Sequence, residues 1–371
     1  MKRDRWESSS DDEGDSPASV TREPPESEKE TKDDMMHVRF QTHNPLLSGC
    51  RSVYDSYERL ERISEGAYGV VWKAKDLATA EIVALKQIKF DIDMTKEGFP
   101  LSALREINVL LALNHECIVT VREMVVGSAF DKVFMVMELM EMDLKDAIEK
   151  MGNDPFSQGE LKGMIFQVLL GIQHIHSKWL LHRDMKTSNI LVHKSGRIAL
   201  ADFGLARKYQ HPLKPLTQMV ITLWYRPPEL LFGENVYGPA VDVWSVGCIL
   251  GELITKDAIM QGQGELDQID KIFKLVGAPN ENNWPDFEKL PNAGILRWKS
   301  LDDQSELSRR FPVNSPVGGQ TFLDANGFDL LSKLLTLDPS RRISANEAVE
   351  HKYFKEGVAK TNPRFSFCHP I

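Results

Sequence analysis

No apolar run in the 371-residue chain approaches 18 residues, so nothing in it reads as a membrane-spanning helix. Cysteine is scarce. Cys50, Cys117, Cys248 and Cys368 stand far apart, which excludes the close pairs of a zinc site and the density of a disulfide framework. They read as reduced thiols, with core packing the role expected of Cys248. The amino terminus is charged and lacks the apolar stretch of a secretory signal. These absences set the expectation of a soluble intracellular protein with no membrane partner. Basic residues are not in excess either: Lys and Arg number 45 against 54 Asp and Glu, a net −9 that weighs against direct nucleic-acid binding. Residues 1–36 hold 12 acids and 6 bases, so most of that charge sits in one segment. No internal repeat is evident.

What is present suffices for two cores or one bilobal unit, with 42% hydrophobic residues over this length. One stretch stands out: Leu181-His182-Arg183-Asp184-Met185-Lys186-Thr187-Ser188-Asn189. Asp184 precedes Asn189 by five positions, so one short loop offers a proton acceptor at one end and a metal ligand at the other. Lys186 follows Asp184 closely enough to meet charge building on a transferring phosphoryl group. Thirteen residues past Asn189 comes Asp202-Phe203-Gly204, a second carboxylate suited to magnesium. H-R-D-x-x-x-x-N followed by D-F-G is similar to the protein-kinase signature, which implies phosphoryl transfer from ATP with Mg2+.

Residues 1–36 are rich in Ser, Glu, Asp and Pro and too poor in apolar groups to fold alone. Ser8-Ser9-Ser10 before Asp11-Asp12-Glu13 suits an acid-directed kinase, and Ser16-Pro17 a proline-directed one. From Tyr57 short β-rich runs begin. Tyr57 to Ile63 reads as a strand, and Ser64-Glu65-Gly66-Ala67-Tyr68-Gly69 turns back into Val70-Val71-Trp72-Lys73-Ala74. Such a hairpin lays backbone N–H groups over nucleotide phosphates. The expected form is G-x-G-x-x-G-x-V, and Ser64 stands at its first glycine. Val83-Ala84-Leu85-Lys86 is the V-A-x-K of a third strand, with Lys86 placed for the α- and β-phosphates.

Pro100 opens the next element, where Leu101, Leu104, Ile107 and Leu111 fall at helical spacing. Glu106 on this helix is the natural ion-pair partner of Lys86, formed when the helix swings inward. Pro100 to Glu106 reads P-L-S-A-L-R-E, and P-x-S/T-x-x-R-E on this helix resembles the cyclin-dependent kinases, the PITSLRE type above all. Val119 to Ser128 and Lys186 to Asn189 also resemble that subgroup, whereas Gly49 to Val53 is equally apt for a neighbouring one. The resemblance spans roughly residues 57–354. It implies an α+β chain with the bilobal eukaryotic protein kinase fold: a β-rich N-lobe (57–140) carrying the αC helix, and a mainly helical C-lobe (141–354). A disordered acidic tail and linker would occupy 1–56 and a second tail 355–371.

By the resemblance, Ile63, Ser64, Glu65, Gly66, Ala67, Tyr68, Gly69, Val70, Val71, Ala84, Lys86, Glu106, Glu138 and Met140 bind ATP. The Glu138 carbonyl and Met140 amide would take adenine, with Met137 as gatekeeper. Asn189 and Asp202 would hold magnesium, and Asp184, Lys186 and Thr222 would form the catalytic group. Thr217, five before T-L-W-Y-R-P-P-E, is the implied activating phosphosite, its phosphate drawn by Arg105, Arg183 and Arg207. Tyr68 is a second implied phosphosite, inhibitory, and Ala67 replaces the threonine usual beside it. Glu229 would pair with Arg342, and Asp242 would tether the catalytic-loop backbone. His174 and His176 read as surface or structural residues rather than ligands. The insert-like segment from Gly264 to Pro285 reads as a docking surface or as plain surface helix.

The implied function is that of a cyclin-dependent serine/threonine kinase acting on Ser/Thr-Pro sites. An L-type cyclin, an upstream kinase for Thr217, and a role in transcription and pre-mRNA splicing or in the cell cycle follow from the same likeness. Residence would be nuclear, with the cytoplasm as a second compartment. The rival from another class is a pseudokinase scaffold that binds cyclin without turnover. Ser64 and Ala67 favour it; Lys86, Glu106, Asp184, Lys186, Asn189 and Asp202 oppose it.

Overall fold

Short runs rich in β-branched and aromatic residues recur from Tyr57 to Ile88 and again from Val119 to Glu138, and they build one sheet. The computed structural model describes residues 49–66, 69–88, 101–128, 132–152, 154–217, 220–295, 305–313 and 323–365. These form two compact units, the first within 49–107 and 120–139, the second within 108–119 and 140–365. The first unit is β-rich and the second mainly helical, the α+β division of the implied fold.

The first unit is a six-stranded sheet of β1 (Arg51–Ser52), β2 (Tyr57–Gly66), β3 (Gly69–Asp76), β4 (Ile82–Ile88), β5 (Val121–Val126) and β6 (Val133–Glu138), in the order β1-β5-β6-β4-β3-β2. Only β1 pairs in parallel, Arg51 opposite Val125. One face of the sheet buries Tyr57, Trp72, Ala74, Val83, Leu85, Val125, Phe134 and Val136 together with Val53. Each fully buried side chain of this size stabilises by about 1.5–3 kcal/mol relative to exposure. The linker expected through residue 56 therefore stops earlier. Val53 is fully buried in the core. Arg51 donates from Nη2 to Tyr57 Oη at 3.1 Å and from Nε to Glu123 Oε2 at 3.1 Å, which seals the edge of β5.

The helix read after Pro100 is α1 (Leu101–Ala112), and the boundary between the units falls within it. Helical spacing alone does not say which side of it is buried. Glu106, Val109, Leu110 and Leu113 are buried, while Leu111 is 55% exposed. At 100° per residue Leu111 lies about 140° around the helix from Glu106 and faces outward, whereas Ile107 packs against Ile88, Val126 and Val133.

The second unit is organised on α2 (Leu144–Met151), α3 (Gln158–Ser177), α4 (Ala240–Thr255), α5 (Glu265–Val276) and α6 (Ala325–Leu334). Helix α3 starts with a capping box, the Ser157 side chain accepting from the Glu160 N–H and Glu160 returning to the Ser157 N–H. Leu161, Met164, Ile165, Val168, Leu169, Ile172 and Ile175 are completely buried along it, the core-facing stripe its period predicts. Between α3 and α4 run β8 (Leu180–Leu181), β9 (Ile190–Val192), β10 (Ile198–Leu200) and β11 (Arg207–Lys208). β7 (Met142–Asp143) joins β9 and β10 in a small sheet, and β8 pairs with β11. Helix α4 is buried on nearly all sides and ends at Lys256 in the left-handed conformation, φ 66°.

The carboxy-terminal tail expected from residue 355 is instead packed down as far as residue 365. Thr361 N donates to Gly159 O at 2.9 Å, and Arg364 N to Glu160 Oε1 at 2.9 Å. Phe365 is 2% exposed and meets Phe156 edge-on. A Cβ at Gly163 would stand 1.9 Å from Thr361 O, and one at Gly196 2.5 Å from Pro363 O. Glycines thus open a lane along α3 into which the segment fits.

Candidate active site

In the first unit, Lys86 lies on β4 between Val71 and Met135 of its neighbours, so its side chain leaves the sheet on the face that Glu106 meets. Lys86 Nζ stands 2.7 Å from Glu106 Oε1, and both side chains are nearly buried. The pair is formed in this structure, with Glu106 on the buried face of α1. The β2–β3 hairpin pairs Ser64 with Val71, Glu65 with Val70 and Gly66 with Gly69. Ala67 and Tyr68 at its tip lie outside the described residues. Gly69 has φ 150°, and a Cβ there would fall 2.1 Å from Gln87 O, so this glycine is required by its close approach to β4. Ile63 and Ser64 are exposed, Val70 and Val71 half-buried, and Ala84 is buried opposite Met137. At the end of β6, Glu138 accepts from the Thr120 N–H at 2.9 Å; Met140 opens the second unit.

The second unit holds the loop after β8 from below. Asp242, wholly buried near the start of α4, accepts from His182 N and Arg183 N at 2.9 Å each. His176 Nε2 lies 2.9 Å from the same carboxylate. Burial would raise the Asp242 carboxyl, but His176 and the backbone donors outweigh it and hold it below its ordinary range. Arg183 takes a left-handed φ of 66°, a conformation an L-residue keeps only when its surroundings force it. Asp184 follows and is 5% exposed. Its Oδ2 accepts from Lys186 Nζ at 2.7 Å and Asn189 Nδ2 at 2.9 Å, and its Oδ1 from Thr222 Oγ1 at 2.9 Å. Lys186 Nζ also reaches Thr222 Oγ1 at 3.2 Å. Burial works against the charged Asp184, yet the Lys186 ammonium and the Thr222 hydroxyl together keep its carboxyl below the usual range. The arrangement presents an ionised carboxylate, hydrogen-bonded at both oxygens, beside a cation held to it.

Asn189 and Asp202 come together through the β9–β10 hairpin. Ile190 pairs with Leu200, and Ala201 N donates to Asn189 O at 2.9 Å, so the two residues flank one end of the ladder. Asn189 Nδ2 is committed to Asp184, which leaves its amide oxygen as the acceptor. Asp202 has φ 60°, a strained turn of the kind a carboxylate tolerates best. A carboxylate and an amide oxygen on residues flanking one hairpin end are hard donors of the type magnesium takes alongside phosphate oxygens.

Beyond Asp202 the segment is pinned at several points. Thr217 is exposed, and its carbonyl accepts from Tyr237 Oη at 2.5 Å. Arg183 Nη1 donates to the same phenol at 2.9 Å. Arg207 lies near enough to act electrostatically on Tyr237; the side chain of Arg105 lies outside the described residues. Ile221 holds φ 67°, an outlier for a β-branched residue, and its carbonyl accepts from Arg226 Nη2 at 3.1 Å. Glu229 and Arg342 form a two-pronged ion pair at 2.7 and 2.9 Å with both side chains buried.

A family model described as protein kinase domain matches residues 57–354. The chain belongs to the protein kinase family. Cyclin-dependent kinase G-2 of Oryza sativa subsp. indica is 50% identical over 311 residues, 84% of this chain and 43% of that one. Cyclin-dependent kinase 11B of Homo sapiens is 48% identical over 319 residues, covering 86% of this chain and 38% of its own. Cyclin-dependent kinase G1 of Arabidopsis thaliana is 47% identical over 328 residues, 88% of this chain and 53% of its own. The chain thus spans about two fifths of the rice and human relatives and about half of the Arabidopsis one. The likeness read from Pro100 to Glu106 and from Lys186 to Asn189 agrees with these relatives.

The kinase match begins at Tyr57 and ends at Phe354, so β1 and the packed segment 359–365 lie outside it. Two groups escaped the reading of motifs. Thr187 Oγ1 donates to Glu252 Oε1 at 2.9 Å, and Tyr225 Oη to Glu252 Oε2 at 2.7 Å, a buried network joining the catalytic loop, the activation segment and α4. Burial pushes the Glu252 carboxyl up. Tyr237 is the other, and neither carries a local sequence signal. His174, by contrast, stacks on His115 at 4.7 Å between centroids, the structural role expected of it.

Proposed function

We propose that this chain transfers the γ-phosphoryl group of ATP to serine or threonine followed by proline, under control of a cyclin. The observation that carries the reading is the Asp184 carboxylate, bonded at once to Lys186, Asn189 and Thr222. An ionised carboxylate so fixed can orient a substrate hydroxyl and accept its proton, and Lys186 can offset charge on the transferring group. Asn189 and Asp202 are the residues that would hold Mg2+. When bound, the ion neutralises phosphate oxygens. Lys86, held by Glu106, would grip the α- and β-phosphates. The Ile221 carbonyl is already taken by Arg226, which supports proline after the acceptor because proline brings no N–H to be stranded there.

Leu111, exposed on α1, with Leu104 half-buried beside it, supports a partner that covers this helix. We read that partner as a cyclin, of the L type by resemblance, and Thr217 as the site of an upstream activating kinase. Nuclear residence and a role in transcription and splicing rest on the same resemblance. The scaffold reading is not favoured, since every residue its rival needs is present and Lys86–Glu106 is formed. Purified chain, alone and with an L-type cyclin, tests the proposal by label transfer from ATP to a Ser-Pro peptide. Transfer by the complex at a rate far above the chain alone is expected; equal rates would overturn cyclin control.

A further inference from the structure

Tyr237 belongs to none of the motifs that mark the site, yet its hydroxyl joins two of them. The side chain is 3% exposed. Arg183 Nη1 donates to the phenol oxygen at 2.9 Å, and the phenol hydrogen goes to Thr217 O at 2.5 Å. The hydroxyl is thereby used once as acceptor and once as donor, in a single line from guanidinium to main chain. Burial pushes the phenol up from its ordinary range, so it remains a neutral O–H donor at working pH.

The far end of that line is rigid. Arg183 N is held by Asp242, Arg183 Nε donates to Leu205 O at 2.8 Å, and its backbone is locked at φ 66°. At the near end Thr217 is exposed, and Leu216 N, next to it, donates to Asn235 O at 2.8 Å. Thr217 presents its side chain outward while its carbonyl is drawn inward to Tyr237. The contact is made to the Thr217 carbonyl and takes nothing from its side chain. It acts on main chain, and the hydroxyl of Thr217 stays available for modification.

We propose that Tyr237 is a positioning residue that ties the catalytic loop to the activation segment through Arg183 and the Thr217 carbonyl, setting the segment's peptide-binding form before phosphorylation. The assignment rests on the kinase reading above. Tyr237→Phe keeps the buried ring and removes only the hydroxyl. In the cyclin complex, hydrogen exchange of the segment containing Leu216 should quicken by about three- to tenfold, the size of one ordinary hydrogen bond. Exchange in α4 should stay as in wild type, which shows the fold intact. Peptide KM should rise by a similar factor with the KM for ATP unchanged, in Thr217→Ala protein as well as in the phosphorylated form. Unchanged exchange at Leu216 together with an unchanged peptide KM would overturn the assignment. So would an effect confined to the phosphorylated form, which would make Tyr237 a support for phosphate recognition alone. If wild-type complex transfers no label, the kinase reading fails, and the exchange measurement still decides whether the tie exists.

Discussion

Arg226 Nη2 lies 3.1 Å from the carbonyl oxygen of Ile221, and Arg226 Nε lies 3.0 Å from that of Val220. A strained, left-handed Ile221 is thus held by a guanidinium that Glu265 in turn holds at 2.7 Å. Replacing Arg226 with Ala should release the Ile221 carbonyl to a peptide amide. The ratio of Ser-Pro to Ser-Ala turnover should then fall by roughly five- to tenfold, about one hydrogen bond. Matched peptide pairs measure this, and an unchanged ratio would detach proline preference from Arg226.

Asp184 has its carboxyl depressed against its burial, chiefly by Lys186. A depressed acid stays ionised to lower pH, so the acidic fall of kcat/KM should lie below the ordinary carboxylate value of about 3.9 as far as this group sets it. Lys186→Met removes the main lowering contact and leaves burial, which acts upward. Its acidic limb should therefore shift to higher pH. Superimposable pH profiles for the two proteins would contradict this origin of the depression.

Glu229 and Arg342 are buried, paired twice and far apart in sequence. Arg342→Ala strands the carboxylate without its partner, a loss of about 3–5 kcal/mol. Urea titration of wild type and variant checks it; a loss under about 1 kcal/mol would mean that water replaces the pair at no great cost.

The segment 359–365 gives a prediction whose sign depends on the length of the chain. Truncation after Phe354 removes the burial of Phe365 and should cost roughly 2–3 kcal/mol. Gly163→Ala should destabilise the full chain, because its Cβ would fall 1.9 Å from Thr361 O. In the truncated chain the same change should stabilise by about 1 kcal/mol, the helix preference of Ala over Gly. Thermal melts of the four proteins read out the reversal.

Contiguity decided what was legible in the sequence. Asp184, Asn189 and Asp202 are read from two short strings because their chemistry is set by spacing along one loop and one hairpin. The stripe on α3 was legible because helix periodicity writes it along the chain. The outward turn of Leu111 was not, since a row of leucines at helical spacing does not say which face meets the core. Tyr237 and Glu252 were missed because their partners, Arg183 and Thr187, lie more than fifty positions away and a buried phenol or acid has no local mark. The packed segment near Thr361 left a faint one. Gly159 and Gly163 are one helical turn apart, and such a pair on a buried helix marks a lane for another backbone.

The central claim is that Asp184 serves phosphoryl transfer to a hydroxyl. Its most direct test is single-turnover transfer of the γ-phosphoryl group from ATP to a Ser-Pro peptide, by the phosphorylated cyclin complex of wild type and of Asp184→Asn. The amide keeps the size of the side chain and one accepting oxygen but cannot take the proton. The transfer rate should fall by about 10²–10⁴ with ATP binding retained. A variant that transfers label at the wild-type rate would contradict the account.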